Sequence, residues 1–106
     1  ILVGVSLLLL ALAADGAVEN AYTLKLVNKQ SEARVFTLVV DDPELSLVEA
    51  PLRIEAGPED VVNLAFTLRA PAGVVQGRRD VSLRLESEGA SEPVAVHTTR
   101  FFGPLP

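Results

Sequence analysis

Residues 18–29 read VENAYTLKLVNK, and the alternation within them decides the fold. Tyr22, Leu24 and Leu26 fall on one face and Thr23 and Lys25 on the other, the period of a half-buried strand. Asn28-Lys29-Gln30-Ser31-Glu32 then breaks the pattern with a polar turn. The same alternation returns down the chain. Phe36, Leu38 and Val40 share one side of Arg34–Val40, and Asp41-Asp42-Pro43 stops them. Short strands follow at Leu45–Glu49 and Leu52–Ala56, divided by Pro51 and closed by Gly57-Pro58-Glu59. Val62, Leu64, Phe66 and Leu68 align within Asp60–Arg69, and Val81, Leu83 and Leu85 within Arg79–Ser87. A last strand runs from Val94 to Phe102 and ends at Gly103-Pro104. Turn residues with fixed or permissive backbones separate all of these runs.

Seven strands without a helical period after residue 18 predict an all-β, seven-stranded antiparallel immunoglobulin-like sandwich over residues 18–104. No Cys…Trp…Cys core is present, so the domain is not of the antibody type.

Upstream lies ILVGVSLLLLALAA, residues 1–14, which carries no charge. Leu7-Leu8-Leu9-Leu10 with Ala11 and Leu12 favours helix on side-chain rotamer grounds. A helix of that length rises about 21 Å, less than the roughly 30 Å hydrocarbon core of a bilayer. The expectation is therefore a truncated apolar helix, the C-terminal part of a transmembrane segment. Two alternatives stand beside it: a signal-peptide h-region with Ala11-Leu12-Ala13 as the cleavage motif, and an apolar helix in the domain's own core. Asp15 and Glu19 are the first charges after the run and Lys25 the first base, which places the following domain on the translocated side. The chain opens on Ile1 and reads as a piece of something longer.

The 106 residues hold one domain. A net charge of −5 argues against a nucleic-acid partner, which requires a basic face. With no cysteine there is no disulfide frame, no thiolate nucleophile and no ligand set for an iron–sulfur cluster.

No catalytic, cofactor-binding or metal-binding residue is expected. His97 is the sole histidine and reads as a surface residue, facing outward or near the sheet edge; one imidazole without a second soft ligand builds no copper site. Asp41, Asp42 and Glu44 around Pro43, and Glu59-Asp60, lack calcium-loop spacing and read as solvated turns. The serines sit in no nucleophile-elbow setting, and Gly73–Gly77 lacks phosphate-loop spacing. Tyr22, Phe36 and Phe66 read as core. Phe101 and Phe102 are adjacent and face opposite ways in a strand, so one of the pair is free for a partner contact.

At VENAYTLKLVNK, and again at the ending RFFGP, the chain resembles the C-terminal immunoglobulin-like domain of the FixG/CcoG family of bacterial inner-membrane polyferredoxins. Members read (I/V)EN-x-Y-x-L-K-(I/L)-x-NK where the domain begins, which Glu19, Asn20, Tyr22, Leu24, Lys25, Asn28 and Lys29 match; these are taken as structural motif residues. The resemblance implies a periplasmic domain held by the last membrane helix of an iron–sulfur protein linked to cytochrome c oxidase assembly and copper handling. Its clusters would lie upstream, since this chain has no cysteine. It implies protein partners, either oxidase assembly factors or the parent's own membrane domain. The family's spacer between membrane and first strand is longer than the residues 13–17 available here. The rival reading is a secreted or surface immunoglobulin-like accessory module of an extracellular enzyme or adhesin. An enzyme in its own right is the third.

Overall fold

A strand whose alternate side chains are apolar has to lay that face against another, and here two antiparallel sheets do so for each other. The computed structural model describes residues 2–13 and 15–104. Eight strands are present among them: β1 (Leu2–Leu12), β2 (Val18–Val27), β3 (Arg34–Val40), β4 (Ser46–Leu47), β5 (Leu52–Ala56), β6 (Val61–Ala70), β7 (Arg78–Ser87) and β8 (Ala95–Phe102). One sheet has the order β1-β2-β6-β4 and the other β5-β3-β7-β8. Each of the seven expected strands is found, the third of them reduced to Ser46–Leu47.

The expected helix is not. Residues 2–12 form β1, paired antiparallel with β2 from Leu2↔Val27 to Leu12↔Val18. Among the described residues no helix is long and apolar enough to cross a membrane. The correction has a local and a tertiary cause. Asp15-Gly16 is a hairpin turn dipeptide: Gly16 sits at φ 85°, and the Asp15 carboxylate accepts the Ala17 N–H at 3.1 Å. Once the chain reverses there, ten residues of β2 offer backbone groups that only a neighbouring strand satisfies. That demand overrides the leucines' modest helix preference. A β-bulge lies between Leu7 and Leu9, where Leu7 pairs with Tyr22 and Leu9 with Ala21.

The core sits between the sheets. Val18, Tyr22, Leu24 and Leu26 of β2 and Phe66 and Leu68 of β6 face Phe36 and Leu38 of β3, Val81, Leu83 and Leu85 of β7, and Phe101 of β8. The rings of Tyr22 and Phe66 stack with centroids 5.1 Å apart. β8 closes against the loop before β7: the Gly103 N–H donates to the Gly77 carbonyl at 2.7 Å, and the Gly77 N–H to that of Pro104 at 2.8 Å. A methyl group at Gly103 would collide with the Val75 carbonyl, which is backbone and cannot turn aside. Gly103→Ala is therefore expected to destabilise the fold by about 1–3 kcal/mol in denaturant unfolding. A value near zero would show that the close approach is not required.

Candidate docking surface

Alternation along β2 turns Val18, Asn20 and Tyr22 inward, and so buries an amide and a phenol among apolar side chains. Both are satisfied by the far end of the chain. The Asn20 Nδ2–H donates to the Phe102 carbonyl at 3.0 Å, and the Phe102 N–H donates to Asn20 Oδ1 at 2.8 Å. The Tyr22 hydroxyl donates to the Arg100 carbonyl at 2.8 Å. One side chain of the first sheet thus imitates a strand and pairs with the outer edge of β8 in the second. Burial raises the Tyr22 phenol above its ordinary 10.0.

The remaining motif residues divide by depth. Asn28 is buried: its Nδ2 group reaches the carbonyls of Glu32 at 3.0 Å and Gly57 at 2.9 Å, and its Oδ1 accepts the Gln30 N–H at 3.1 Å. It ties the β2–β3 turn to the β5–β6 turn. Glu19 accepts from Arg69 Nη1 at 3.0 Å, and Asp15 meets the same guanidinium at 2.5 Å. Asp15 lies below the usual carboxylate range, first because the Ala17 N–H bonds to it and then because Arg69 is near. Lys25 and Lys29 are exposed.

The acidic turn around Pro43 is taken up by arginines. Arg79 reaches Asp42 at 3.0 Å and Glu44 at 2.9 Å, and Arg84 reaches Asp41 at 3.1 Å. These pairs lie at or near the surface and contribute little each.

Phe101 and Phe102 separate as alternation demands. Phe101 is fully buried and cannot meet a partner, so the contact expected of the pair falls to half-buried Phe102 alone. His97 is not outward-facing. It shares its side of β8 with Ala95, Thr99 and Phe101 and is half-buried, while Val96 is exposed.

Sequence reading missed the other half of the surface, because it lies on β1. β1 and β8 are edge strands on the same side of the sandwich and lie beside each other. Leu7 and Leu12 are placed opposite inward-facing Tyr22 and Val18, yet they are 41% and 69% exposed. The sheets part here. Val5 and Leu7 of β1 and His97, Thr98, Thr99, Arg100 and Phe102 of β8 line a shallow groove of about 410 Å³. Ala11, Leu12, Val18, Gly103 and Pro104 line a second, of about 370 Å³, beside the β1–β2 turn and the end of β8. The β1 side of the seam carries no charge, while its β8 side brings His97, Thr98, Thr99 and Arg100 to the first groove.

Residues 8–104 match the family described as "IG-like fold at C-terminal of FixG, putative oxidoreductase". The chain belongs to that family. A crystal structure of a FixG-related protein from Vibrio parahaemolyticus is similar to it with a TM-score of 0.75 and 24% identity, covering 97% of each chain. A protein of Archaeoglobus fulgidus shares the overall fold at a TM-score of 0.52 and 11% identity, covering 100% of this chain and 98% of that one. No curated protein matches the sequence. The FixG match begins at residue 8, inside the apolar run, and so takes in the second half of β1. The iron–sulfur clusters that FixG membership implies do not fit the donors present: the chain has no cysteine. No redox step is assigned to this domain.

Two outcomes test the site's framework. Asn20→Ala leaves the Phe102 N–H and C=O without partners and is expected to cost about 2–4 kcal/mol, whereas exposed Lys25→Ala stays within about 0.5 kcal/mol; urea unfolding separates them. Tyr22 is the single tyrosine and there is no tryptophan, so tyrosinate absorbance reads this one group. With the folded value above 10.0, the stabilisation from Tyr22 is present below pH 10 and lost as the pH rises past it. Tyrosinate is expected to appear only with unfolding. Titration of the folded chain near pH 10 would contradict the buried hydrogen bond.

Proposed function

We propose that this domain is a docking module of a FixG/CcoG-like iron–sulfur redox protein, lying on the periplasmic side of the bacterial inner membrane. It presents the β1–β8 seam to a protein partner, an oxidase assembly factor or the parent's own membrane domain, within an apparatus for cytochrome c oxidase assembly and copper handling. The reading is supported by membership in the FixG C-terminal family. The observation that carries it is the exposure of Leu7 and Leu12 at inward-facing positions beside Phe102. Apolar side chains on the core side of an edge strand are ordinarily covered, and an uncovered row of them marks an interaction surface. An edge strand without charged residues also offers backbone groups for strand addition, and its side chains give specificity.

The domain would then act without chemistry of its own. Asn20 and Tyr22 fix where the edge of β8 lies, and β1 supplies the apolar wall opposite.

Site-specific photo-crosslinking in cells expressing the full-length parent tests this. A crosslinker at position 12 or 102 is expected to trap a protein adduct, and one at Val61, exposed on β6 away from the seam, is not. Adducts of equal yield from all three positions, or from none, would overturn the assignment.

A further inference from the structure

At the end of the sandwich near the β2–β3 turn, Ser87 is 94% buried (6% exposed) and its Oγ has no hydrogen-bond partner in the protein. The Arg34 Nε is buried and likewise without one. Both line one cleft of about 270 Å³, together with Asn28, Gln30, Phe36 and Val94. The register explains the convergence. Phe36 pairs with Ser87 across β3 and β7, so their side chains share a face, and Arg34, two residues before Phe36, enters on that same face. Asn28 approaches from the opposite sheet.

An arginine on a core-facing position is unusual, and this one is not neutralised. Arg53, Arg69, Arg79, Arg84 and Arg100 each meet a carboxylate, while Arg34 forms no ion pair among the described residues. One of its terminal nitrogens donates to Gln30 Oε1 at 3.2 Å, which orients the guanidinium without balancing its charge. The Asn28 amide is committed to backbone carbonyls, as described above, and forms a fixed wall.

We infer that this cleft is a binding site for a carboxylate carried on a short apolar stem. Arg34 Nε–H and the Ser87 hydroxyl are donors, and an ionised carboxylate is an acceptor only, so the two sets are complementary. The charge on Arg34 selects an anion over a neutral carbonyl. The chain's net charge of −5 disfavours a multiply charged phosphate. Phe36 and Val94 receive the stem. The volume lies just under the range of about 300–1,000 Å³ typical of small-molecule pockets, which fits a single terminal residue or a short-chain acid. Two sources share this chemistry: the C-terminus of a polypeptide and a free short-chain carboxylic acid.

The test is a ¹H–¹⁵N titration of the 106-residue chain with isovalerate, with acetyl-Ala-Val bearing a free carboxylate, and with the same peptide as its C-terminal amide. Saturable shifts are expected at the amides of Asn28, Arg34, Ser87 and Val94 with either carboxylate. The amide should bind about tenfold more weakly or not at all, and Arg34→Gln should weaken the carboxylates by about tenfold. Tighter binding of the peptide identifies a polypeptide terminus as the source, and tighter binding of isovalerate a free acid; both support the site. Ser87→Ala gives an independent reading should Arg34→Gln disturb the fold, with the Leu38 and Phe101 amides reporting integrity. Absence of saturable shifts, equal affinity for the amide, or unchanged affinity in both variants would overturn the proposal.

Discussion

A single buried amide holds the two sheets of this domain in register. Asn20 lies on β2 and its two hydrogen bonds end on Phe102 of β8, 82 residues later in the chain. In a sandwich, sheets meet through side chains that slide past one another at little cost, and apolar packing alone leaves their relative shift weakly specified. A two-point hydrogen bond to backbone removes that freedom, because leaving either Phe102 group buried and unpaired costs about 1–3 kcal/mol. Tyr22 repeats the device one residue pair along, at Arg100. The position of β8, the fate of both adjacent phenylalanines and the width of the seam beside β1 follow from it.

Why β1 and β8 leave a groove is then a question of geometry. Asn20 and Tyr22 draw β8 toward β2, and β1 and β8 meet there as the edges of the two sheets. Along this seam Leu7 and Leu12 stay partly exposed, although their partners on β2 face the core. The bulge between Leu7 and Leu9 adds local twist at the same place. An apolar, uncharged edge strand is an aggregation hazard when left uncovered, and the proposed function gives it a partner.

Much of the sandwich was legible from residues alone, because a period of two interrupted by Gly, Pro and Asx turns has few other meanings. Residues 2–12 were misread for an identifiable reason. A leucine run favours helix locally, and the signal against it was the neighbouring Asp15-Gly16, a hairpin dipeptide joining two apolar segments. The seam went unseen with it. The motif around Asn20 and Tyr22 was recognised as structural, but its action was not readable, since both partners are backbone groups of β8 and carry no sequence signature. Phe101 and Phe102 divided as alternation required, and only the structure shows that the earlier of the two is the buried one. Arg34 was hidden similarly: its inward aim depends on the pairing of Phe36 with Ser87, a relation across 51 residues that periodicity does not reveal.

The most direct measurement is native-state hydrogen exchange at the Phe102 amide, set against that of Thr98 on the same strand. In an antiparallel ladder the backbone groups of alternate residues point the same way, so both amides face away from β7. Only Phe102 has a side-chain acceptor, Asn20 Oδ1. If Asn20 locks the sheets together, the Phe102 amide exchanges only through opening close to global unfolding, while Thr98 exchanges as an unprotected edge. Equal, rapid exchange at both positions would contradict the account and leave the register of the two sheets without its explanation.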